Sequence, residues 1–445
     1  MAHGCLESVS NSLKETIRDG GIHGWIAVLG LFTCFVARVG VTKGMGMMLP
    51  TLQEQFVTST WLIGWMVAFV SSGGAFSGIL ATPLKERFGA RTVVTVSGIV
   101  AGISMISASF LSSLYAITFL LTVSGAAIGI TYIISKHLVG SFFTKSLTTA
   151  YGLGYMGSSF AFIAVVPLIQ LFLDIYGWRG TMLLLGALLL HIAVCGALMK
   201  PLAASGSRDG YEAALTYEEQ ETGEDKRAPN NHCGCFNKVY LFTRDTFQRG
   251  LFSSTSFWFI VCISTVRLIT YCAWLVYYVQ YTTVYKGFTM EDASHFIVAY
   301  GIGKAVACLM IAPIIQQVQF VSKYTWLAIA VLILAIYYAV DPWLMSYWPI
   351  TGNACIFGIA FALTSILIDV VIKEIFGKEQ LGHVLGWMGF MTGLSLILLL
   401  YFPGLIYDLT GDYTVAFSLM AGAQLLSVAA AFWLHWRHKG EKSFR

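Results

Sequence analysis

The 445-residue chain contains few charged residues. Asp, Glu, Lys and Arg make up 11% of it, against roughly 25% in soluble globular domains. The chain also lacks a phosphate-binding loop, a nucleophile elbow and a His-Glu-x-x-His zinc motif. It has no Asn-x-Ser/Thr sequon, so no N-glycan is expected. We therefore predict neither an enzyme nor a bound cofactor.

Apolar residues dominate instead, at 57% of the chain with a mean hydropathy of +0.72. They form about twelve runs, each close to the ~20 residues that span a bilayer as a helix. Strands would need only about 10 residues per crossing, so these runs predict an all-α membrane protein with twelve transmembrane helices. The predicted spans are 24–49, 60–82, 92–111, 115–135, 149–173, 180–199, 255–280, 295–315, 324–341, 345–372, 383–406 and 414–435.

The basic residues predict how the chain is oriented in the membrane. With both termini in the cytoplasm, nearly every Lys and Arg outside the spans lies on the cytoplasmic side, and only Arg179 and Lys286 lie outside. The reverse orientation would violate the positive-inside rule. The basic tail at residues 437–445 follows a span directly, so it predicts an anchor at anionic lipid rather than a nucleic-acid site.

One long polar stretch, residues 200–254, divides the predicted spans into six and six. Its few apolar residues predict a cytoplasmic loop that is mostly disordered. Two six-helix halves joined in this way are the layout of major facilitator carriers, whose substrate site lies between the halves near the midplane. The predicted units are residues 1–22 (cytoplasmic N-terminus), 23–199 and 255–436 (the halves), 200–254 (the loop) and 437–445 (the tail).

The nine cysteines predict no extracellular disulfide, because none lies in a predicted outer loop. His232, Cys233 and Cys235 resemble part of a metal site. A second pair of ligands is missing, however, so a metal site is not predicted. S-acylation and an inert loop are the two alternatives for these residues.

Several strings, in order, resemble the monocarboxylate transporter family of the major facilitator superfamily. The likeness extends from Asp19 to about Trp436, so it covers most of the chain. The strings are DGGIHGW at 19–25, FGAR at 88–91, FF and AYG at 142–152, YGWRG at 176–180, GALMKP at 196–201 and LIYDLTGDY at 405–413.

The resemblance implies a plasma-membrane carrier that alternates between inward-facing and outward-facing states. It also implies that a single-span glycoprotein serves as an ancillary subunit of some members. Proton-coupled members carry an Asp in the eighth span and an Arg four residues later. Here those positions hold Lys304 and Cys308. The chain is therefore expected to be a divergent member, and proton–lactate symport is placed in doubt.

Two basic residues lie in the first predicted span, where a charge is a candidate functional group. Lys43 falls where the family places its first-helix lysine. It is 18 residues past Trp25, so snorkelling to the interface is the alternative to a substrate role. Arg38 lies about 140° around the helix from Lys43. We therefore expect the two not to face one substrate, and a structural role for Arg38 is favoured over coupling.

The second half offers its own substrate-site candidates. Arg267, in the seventh span, has the planar fork that suits a carboxylate, so it is a candidate replacement for the missing eighth-span Arg. Lys304 is the other candidate cation, for substrate binding or for titration. Phe361 falls where the family places a bulky aromatic that limits substrate size, with core packing as the alternative.

The remaining candidates concern coupling and gating. Asp369 could be a counter-ion, but Lys373 four residues later predicts a pair on the helix surface. His191 in the sixth span could titrate near neutral pH, although a packed neutral histidine is favoured. Lys85, Arg87 and Arg91 resemble the basic turn of major facilitator carriers, either as a gate or as a topology anchor.

These observations predict a secondary transporter of small monocarboxylates or related organic anions and zwitterions, and they leave proton-linked and facilitative transport as alternatives. A facilitative carrier of amino acids, creatine or carnitine-like metabolites is one alternative. A carrier-like protein without transport activity is another, and its only support is the missing Asp and Arg. The expected partners are the substrate, protons, the lipid bilayer and an ancillary glycoprotein, without nucleic acid.

Overall fold

The computed structural model describes residues 2–56, 60–199, 249–318, 321–399, 406 and 413–443. Within these ranges the regular structure is helical and contains no strand. Three π-helical segments lie at Ala161–Val165, Tyr281–Tyr285 and Ala307–Ile311, and a 3₁₀ turn lies at Asp341–Trp343. The α-helices are α1 Ala2–Phe56, α2 Thr60–Phe76, α3 Gly78–Phe88, α4 Ala90–Ser109, α5 Leu114–Phe142, α6 Leu147–Phe160, α7 Val166–Leu189, α8 His191–Leu198, α9 Arg249–Phe252, α10 Thr255–Gln280, α11 Met290–Val306, α12 Ala312–Gln317, α13 Lys323–Val340, α14 Tyr347–Leu399 and α15 Tyr413–Ser443.

These helices supply the twelve predicted crossings. Nine of the described stretches are long and apolar enough to span a membrane. Two of the nine exceed 50 residues, and each contains a glycine in the left-handed region, Gly177 at φ 66° and Gly377 at φ 73°. A residue with a Cβ rarely adopts this conformation, so each glycine marks the turn between two crossings. The helix pair α2 and α3 completes the twelve, and the predicted fold is confirmed.

Each half packs mainly on itself. In the first half, α4 packs on α5, α7 and α8, while α1 packs on α5 and α6. In the second half, α14 packs on α11 and α13, while α15 packs on α10 and α13. The halves meet where α14 contacts α2, α3, α5 and α6. α14 is therefore the main element that connects the second half to the first.

Side-chain contacts define two ends of the bundle. At the first end, Asp19 bonds the turn before α6, Lys85 contacts His137, and Lys323 pairs with Glu374. We call it the basic end, because Arg87, Arg91, Lys145, Lys373 and Lys378 also lie there. At the opposite end, Arg179 donates to the Ser109 carbonyl, Trp178 to Gln55, and Lys286 to the Asp341 carbonyl.

The family-like segment DGGIHGW at 19–25 has a clear structural role at the basic end. Oδ2 of Asp19 accepts hydrogen bonds from the backbone N–H groups of Thr144, Lys145 and Ser146, at 3.2, 2.8 and 2.8 Å. These N–H groups precede α6, where a carboxylate satisfies donors that the helix cannot. A Cβ on Gly20 would overlap the ring of Phe143, so glycine is required for this approach.

Several features predicted from the sequence lie outside the described residues. They include residues 200–248 of the predicted loop, and with them His232, Cys233 and Cys235. The boundaries of the predicted domains therefore stay predictions.

Candidate functional site

A cavity of about 160 Å³ lies between the two halves. Helices α1, α2, α5 and α6 line it from the first half, and α10, α11 and both crossings of α14 line it from the second. Along α10 the lining extends from Ser264 to Leu275, about 16 Å at ~1.5 Å per residue. Asp369 and Lys136 lie toward the basic end of this cavity, and Lys43 lies toward the opposite end.

The first half contributes Arg38 and Lys43 from α1, and both line the cavity. Arg38 lies 5.2 Å from the ring centroid of Tyr132, and the Lys43 Nζ lies 5.8 Å from that of Phe162. Both residues therefore line one cavity, but they contact different rings. The expectation that they do not face one substrate stays a prediction. Lys43 faces this cavity rather than the lipid.

The second half contributes Arg267 from α10 and Lys304 from α11. Both charged groups lie over one ring, that of Phe361, at 4.9 and 5.0 Å from its centroid. The Arg267 Nη1 donates to the Ser365 hydroxyl at 2.8 Å, while its buried Nε has no hydrogen-bond partner. Lys304 is only 3% exposed. Arg267 and Lys304 therefore lie together in the part of the cavity where the resemblance predicts the family's eighth-span Asp and Arg.

An aromatic cluster within the second half fixes the position of Phe361. The Phe361 ring stacks on Tyr271 at 4.2 Å and lies 6.1 Å from Phe357. Trp274 and Tyr300 pack on Phe357 in turn, with ring centroids 5.0 and 5.2 Å away. Such ring pairs add packing energy to their buried area. Phe361 therefore packs in the core and lines the cavity at once, so both sequence-based alternatives describe part of its surroundings.

An ion pair joins the halves at the base of the cavity. The Lys136 Nζ lies 2.7 Å from Oδ1 of Asp369, and both side chains are buried. The Tyr155 hydroxyl donates to Oδ2 of the same carboxylate at 2.8 Å. The predicted surface pair between Asp369 and Lys373 is therefore wrong. Asp369 faces α5 and α6 in the interior, and Lys373 instead donates to the carbonyl of Phe143.

The cavity has a large excess of positive charge. Five basic side chains line it, against the single carboxylate of Asp369, which Lys136 already neutralises. Within the described ranges, the ion pairs include none of Arg38, Lys43, Arg267 and Lys304. We call these four the free cations. Buried charges without a partner are unfavourable, so this arrangement suits an anionic ligand.

The candidate His191 and the position of the family's eighth-span arginine, Cys308, both lie away from the cavity. His191 is exposed on the outside of the bundle, where its Nδ1 contacts the Leu188 carbonyl at 3.1 Å. The favoured prediction of a packed histidine is wrong, because α8 turns this side chain outward. Cys308 is buried, and its carbonyl packs on Gly152 of α6. The position that corresponds to the family's arginine thus supports helix packing in this chain.

The predicted basic turn lies at the basic end. Arg87 and Arg91 are exposed there, while the half-buried Lys85 lies 3.2 Å from Nδ1 of His137, and burial lowers the pKa of this lysine. Next to it, Nε2 of His383 lies 3.6 Å from the Glu86 carboxylate across the two halves. The neighbouring His383 ring holds the pKa of Glu86 below its usual range.

Further contacts close the basic end. Oε1 of Gln316 accepts hydrogen bonds from the backbone N–H and the hydroxyl of Thr149, at 3.0 and 2.9 Å. A Cβ on Gly386 would lie 2.7 Å from the carbonyl oxygen of Gly78, so α3 and α14 approach backbone to backbone. The helices at the basic end are therefore tightly packed. Farther from that end, the cavity lies between α1 and α10.

Sequence reasoning missed Lys136 and Tyr155. Lys136 directly follows the predicted fourth span, which places it in a solvated loop, whereas α5 continues to Phe142. The available signal was Asp369, an acid inside an apolar run that required a partner. Tyr155 carried no signal of its own among the many aromatic residues.

Comparisons with known proteins agree with this architecture. The family model described as Major Facilitator Superfamily matches residues 30–350, well over half of the chain. The chain belongs to the Major Facilitator Superfamily.

Within that superfamily the chain is a divergent relative of the monocarboxylate transporters. It is 25% identical to monocarboxylate transporter 12 of Rattus norvegicus over 414 residues, which cover 92% of this chain and 84% of that protein. It is 31% identical to monocarboxylate transporter 11 of Mus musculus over 190 residues, 42% of each chain. It is also 31% identical to monocarboxylate transporter 1 of Bos taurus over 200 residues, 44% of this chain and 39% of that one.

Solved structures confirm the fold. The proton:xylose symporter XylE, bound to 6-bromo-6-deoxy-D-glucose, superposes with a TM-score of 0.71 at 16% identity, covering 93% of this chain and 94% of that one. The human organic anion transporter MFSD10 (TETRAN) gives a TM-score of 0.62 at 15% identity, with 92% and 98% covered. These two structures show the fold. The superfamily match and the monocarboxylate transporter relatives confirm the predicted multi-pass membrane transporter, rather than an enzyme.

Proposed function

We propose that this protein is a secondary transporter of small organic anions, which works by alternating access between its two halves. The observation that carries this proposal is the cavity between the halves with its four free cations. Each half supplies two of them, so a bound anion would contact both halves. The relatedness to monocarboxylate transporters and the cation-lined site both support organic anions as the substrate class.

Alternating access requires the contacts at the basic end to break while the opposite end closes. The ion pair between Lys136 and Asp369 is the central contact of this kind, because its partners belong to different halves. A substrate anion that reaches Lys136 would compete with Asp369 for the same ammonium group. Such competition would couple substrate binding to the opening of the basic end.

A more specific question within the proposed function is whether transport is coupled to protons. The Asp that proton-coupled relatives carry in the eighth span is replaced here by Lys304. Asp369 is the only carboxylate among the described residues of the cavity lining, so a proton-linked cycle would use it as the acceptor once Lys136 moves away. If transport is proton-linked, uptake should rise as the external pH falls. Uptake by a facilitative carrier should not depend on the pH difference across the membrane.

We further propose that the basic end faces the cytoplasm and that the protein acts at the plasma membrane. The support is the distribution of Lys and Arg, which places only Arg179 and Lys286 at the opposite end of the described chain. In this orientation the structure corresponds to a state closed toward the cytoplasm. Surface labelling of expressing cells, with and without a co-expressed single-span glycoprotein, would test location and the expected ancillary subunit together.

Uptake of labelled organic anions into expressing cells tests the transport proposal directly. We expect Lys43→Gln and Arg267→Gln each to reduce uptake at least about tenfold, because a charged hydrogen bond contributes ~1.5–3 kcal/mol. Lys145→Gln is the matched control, since this lysine is exposed at the basic end, outside the cavity. Unchanged uptake in both cavity variants would refute the site. No uptake of any anion by wild-type protein at the surface would favour a carrier-like protein without transport activity.

A further inference from the structure

One tyrosine, Tyr132 of α5, lies between the candidate anion site and the ion pair that joins the halves. The Arg38 Cζ lies 5.2 Å from its ring centroid, and the Lys136 Nζ lies 4.9 Å from the same point. Arg38 belongs to the free cations, whereas Lys136 is the partner of Asp369. A single aromatic ring therefore attracts one cation of the anion site and one cation of the ion pair.

Neighbouring rings fix the position of Tyr132. Phe35 of α1 meets Tyr132 edge to face, with ring centroids 5.3 Å apart, and lies 4.3 Å from the ring of Tyr155 on α6. The Tyr155 hydroxyl in turn donates to the Asp369 carboxylate at 2.8 Å. Tyr132 precedes Lys136 by four residues, so the two side chains lie on one face of α5. The aromatic rings thus connect the wall of the cavity to both members of the ion pair.

The two cations on this ring differ in their freedom to move. Arg38 and Tyr132 also line a side cavity of about 40 Å³ between α1, α2 and α5, which gives the guanidinium group room to change position. Lys136, by contrast, is 3% exposed and is bound to Asp369. Release of this ammonium group from the carboxylate requires a competing negative charge, because a buried cation without a partner is costly.

We propose that Tyr132 is a positioning residue for substrate-driven opening of the basic end, an inference that rests on the proposed transport function. By holding Arg38 and Lys136 at one ring, Tyr132 lets a single substrate anion contact both cations. The anion binds Arg38 first, because Asp369 occupies Lys136. It then displaces Asp369 from Lys136 and so breaks the contact between the halves.

Thiol labelling of the purified protein in detergent, together with uptake into proteoliposomes, tests this role. Leu381 is fully buried beside Gly140 of the other half, so a Leu381→Cys reporter should react faster when the basic end opens. We expect whichever of lactate and succinate the wild-type protein transports to increase this labelling at saturating concentration. Tyr132→Leu should abolish the increase. It should also lower the maximal uptake rate about five- to thirtyfold, the strength of a desolvated cation–π contact, with little change in KM.

Matched variants separate the role of the ring from general damage. Tyr132→Phe keeps the aromatic face and should keep the anion-dependent increase in labelling. Tyr115→Leu is the control, since this tyrosine of the same helix is 78% exposed. Arg38→Gln should abolish the increase as well, and adding Tyr132→Leu to it should cause no further loss, because both residues act in one step.

The outcomes distinguish this inference from the proposed function. If the wild-type protein transports an anion but Tyr132→Leu and Arg38→Gln keep the increase in labelling, the role of Tyr132 is refuted and the proposed function stands. An equal loss in Tyr132→Phe and Tyr132→Leu would also overturn the assignment to the ring. If Tyr132→Leu does not fold, Arg38→Gln alone decides. Transport of neither anion by the wild-type protein, without any change in labelling, would overturn both the proposed function and the inference.

Discussion

Replacing Asp369 with Asn tests the ion pair that joins the halves. The side chains of Lys136 and Asp369 are 4% and 1% exposed, and their charged atoms are 2.7 Å apart. Removing one partner of such a pair leaves a buried charge and costs about 3–5 kcal/mol. Tyr155 can still donate to the amide oxygen, so the loss should come mainly from Lys136. A cost of that size changes an equilibrium by about 10²–10⁴-fold.

Two measurements should report this loss. The thermal melting midpoint of the purified Asp369→Asn protein in detergent should fall, and the basic end should open more often. Leu381 is fully buried beside Gly140 of the other half, so a Leu381→Cys reporter should react faster with a thiol reagent. Asp174→Asn is the matched control, since this carboxylate only contacts Gln170 at an exposed site.

A double substitution distinguishes the ion pair from general damage. Lys136→Met combined with Asp369→Leu removes both charges and keeps apolar volume, so it should recover most of the lost stability. If the double variant is as unstable as the sum of the single variants, the two residues do not interact. If Asp369→Asn melts like the wild-type protein and labels no faster, the pair does not close the basic end.

Three further predictions concern other contacts. Gly386→Ala should increase labelling at Leu381→Cys, because its Cβ would lie 2.7 Å from the Gly78 carbonyl oxygen; Gly422→Ala, at a glycine with open space, should not. Lys286→Met should lower the melting midpoint by leaving Asp341 buried without a cation, at a cost of about 3–5 kcal/mol, with uptake per folded molecule unchanged. Glu86→Gln should lower the melting midpoint slightly near neutral pH. Because the pKa of Glu86 is lowered, its contribution exists above the ordinary carboxyl pKa and disappears as the pH falls through the lowered value, so the wild-type and variant melting curves should converge in acid.

The fold could be predicted because a bilayer imposes a simple rule on the sequence. Each crossing requires an apolar run of a fixed length, and these runs are visible without any knowledge of packing. The limits of the spans were less certain. The fourth span was ended before Lys136 because a charge normally marks water, whereas here a charge from the other half compensates it.

The partners of the charged residues could not be predicted, because they depend on contacts between distant segments. Asp369 seemed to belong to Lys373 by helical spacing, yet its partner lies more than two hundred residues earlier in the chain. Arg38 and Lys43 lie about 140° apart around α1, and the structure shows that both line the cavity at different rings. Lys43, Arg267 and Lys304 could be selected as candidates, because a basic residue inside an apolar run is rare enough to stand out.

The four free cations also have an electrical consequence. Moving one charge through a membrane potential of 100 mV changes the free energy by about 2.3 kcal/mol. An empty carrier would reorient with the cations of its cavity uncompensated, whereas a carrier loaded with an anion would reorient with part of that charge balanced. The voltage should therefore act most strongly on the return of the empty protein. Exchange of one substrate molecule for another, in which the site is never empty during reorientation, should then be faster and less sensitive to voltage than net uptake.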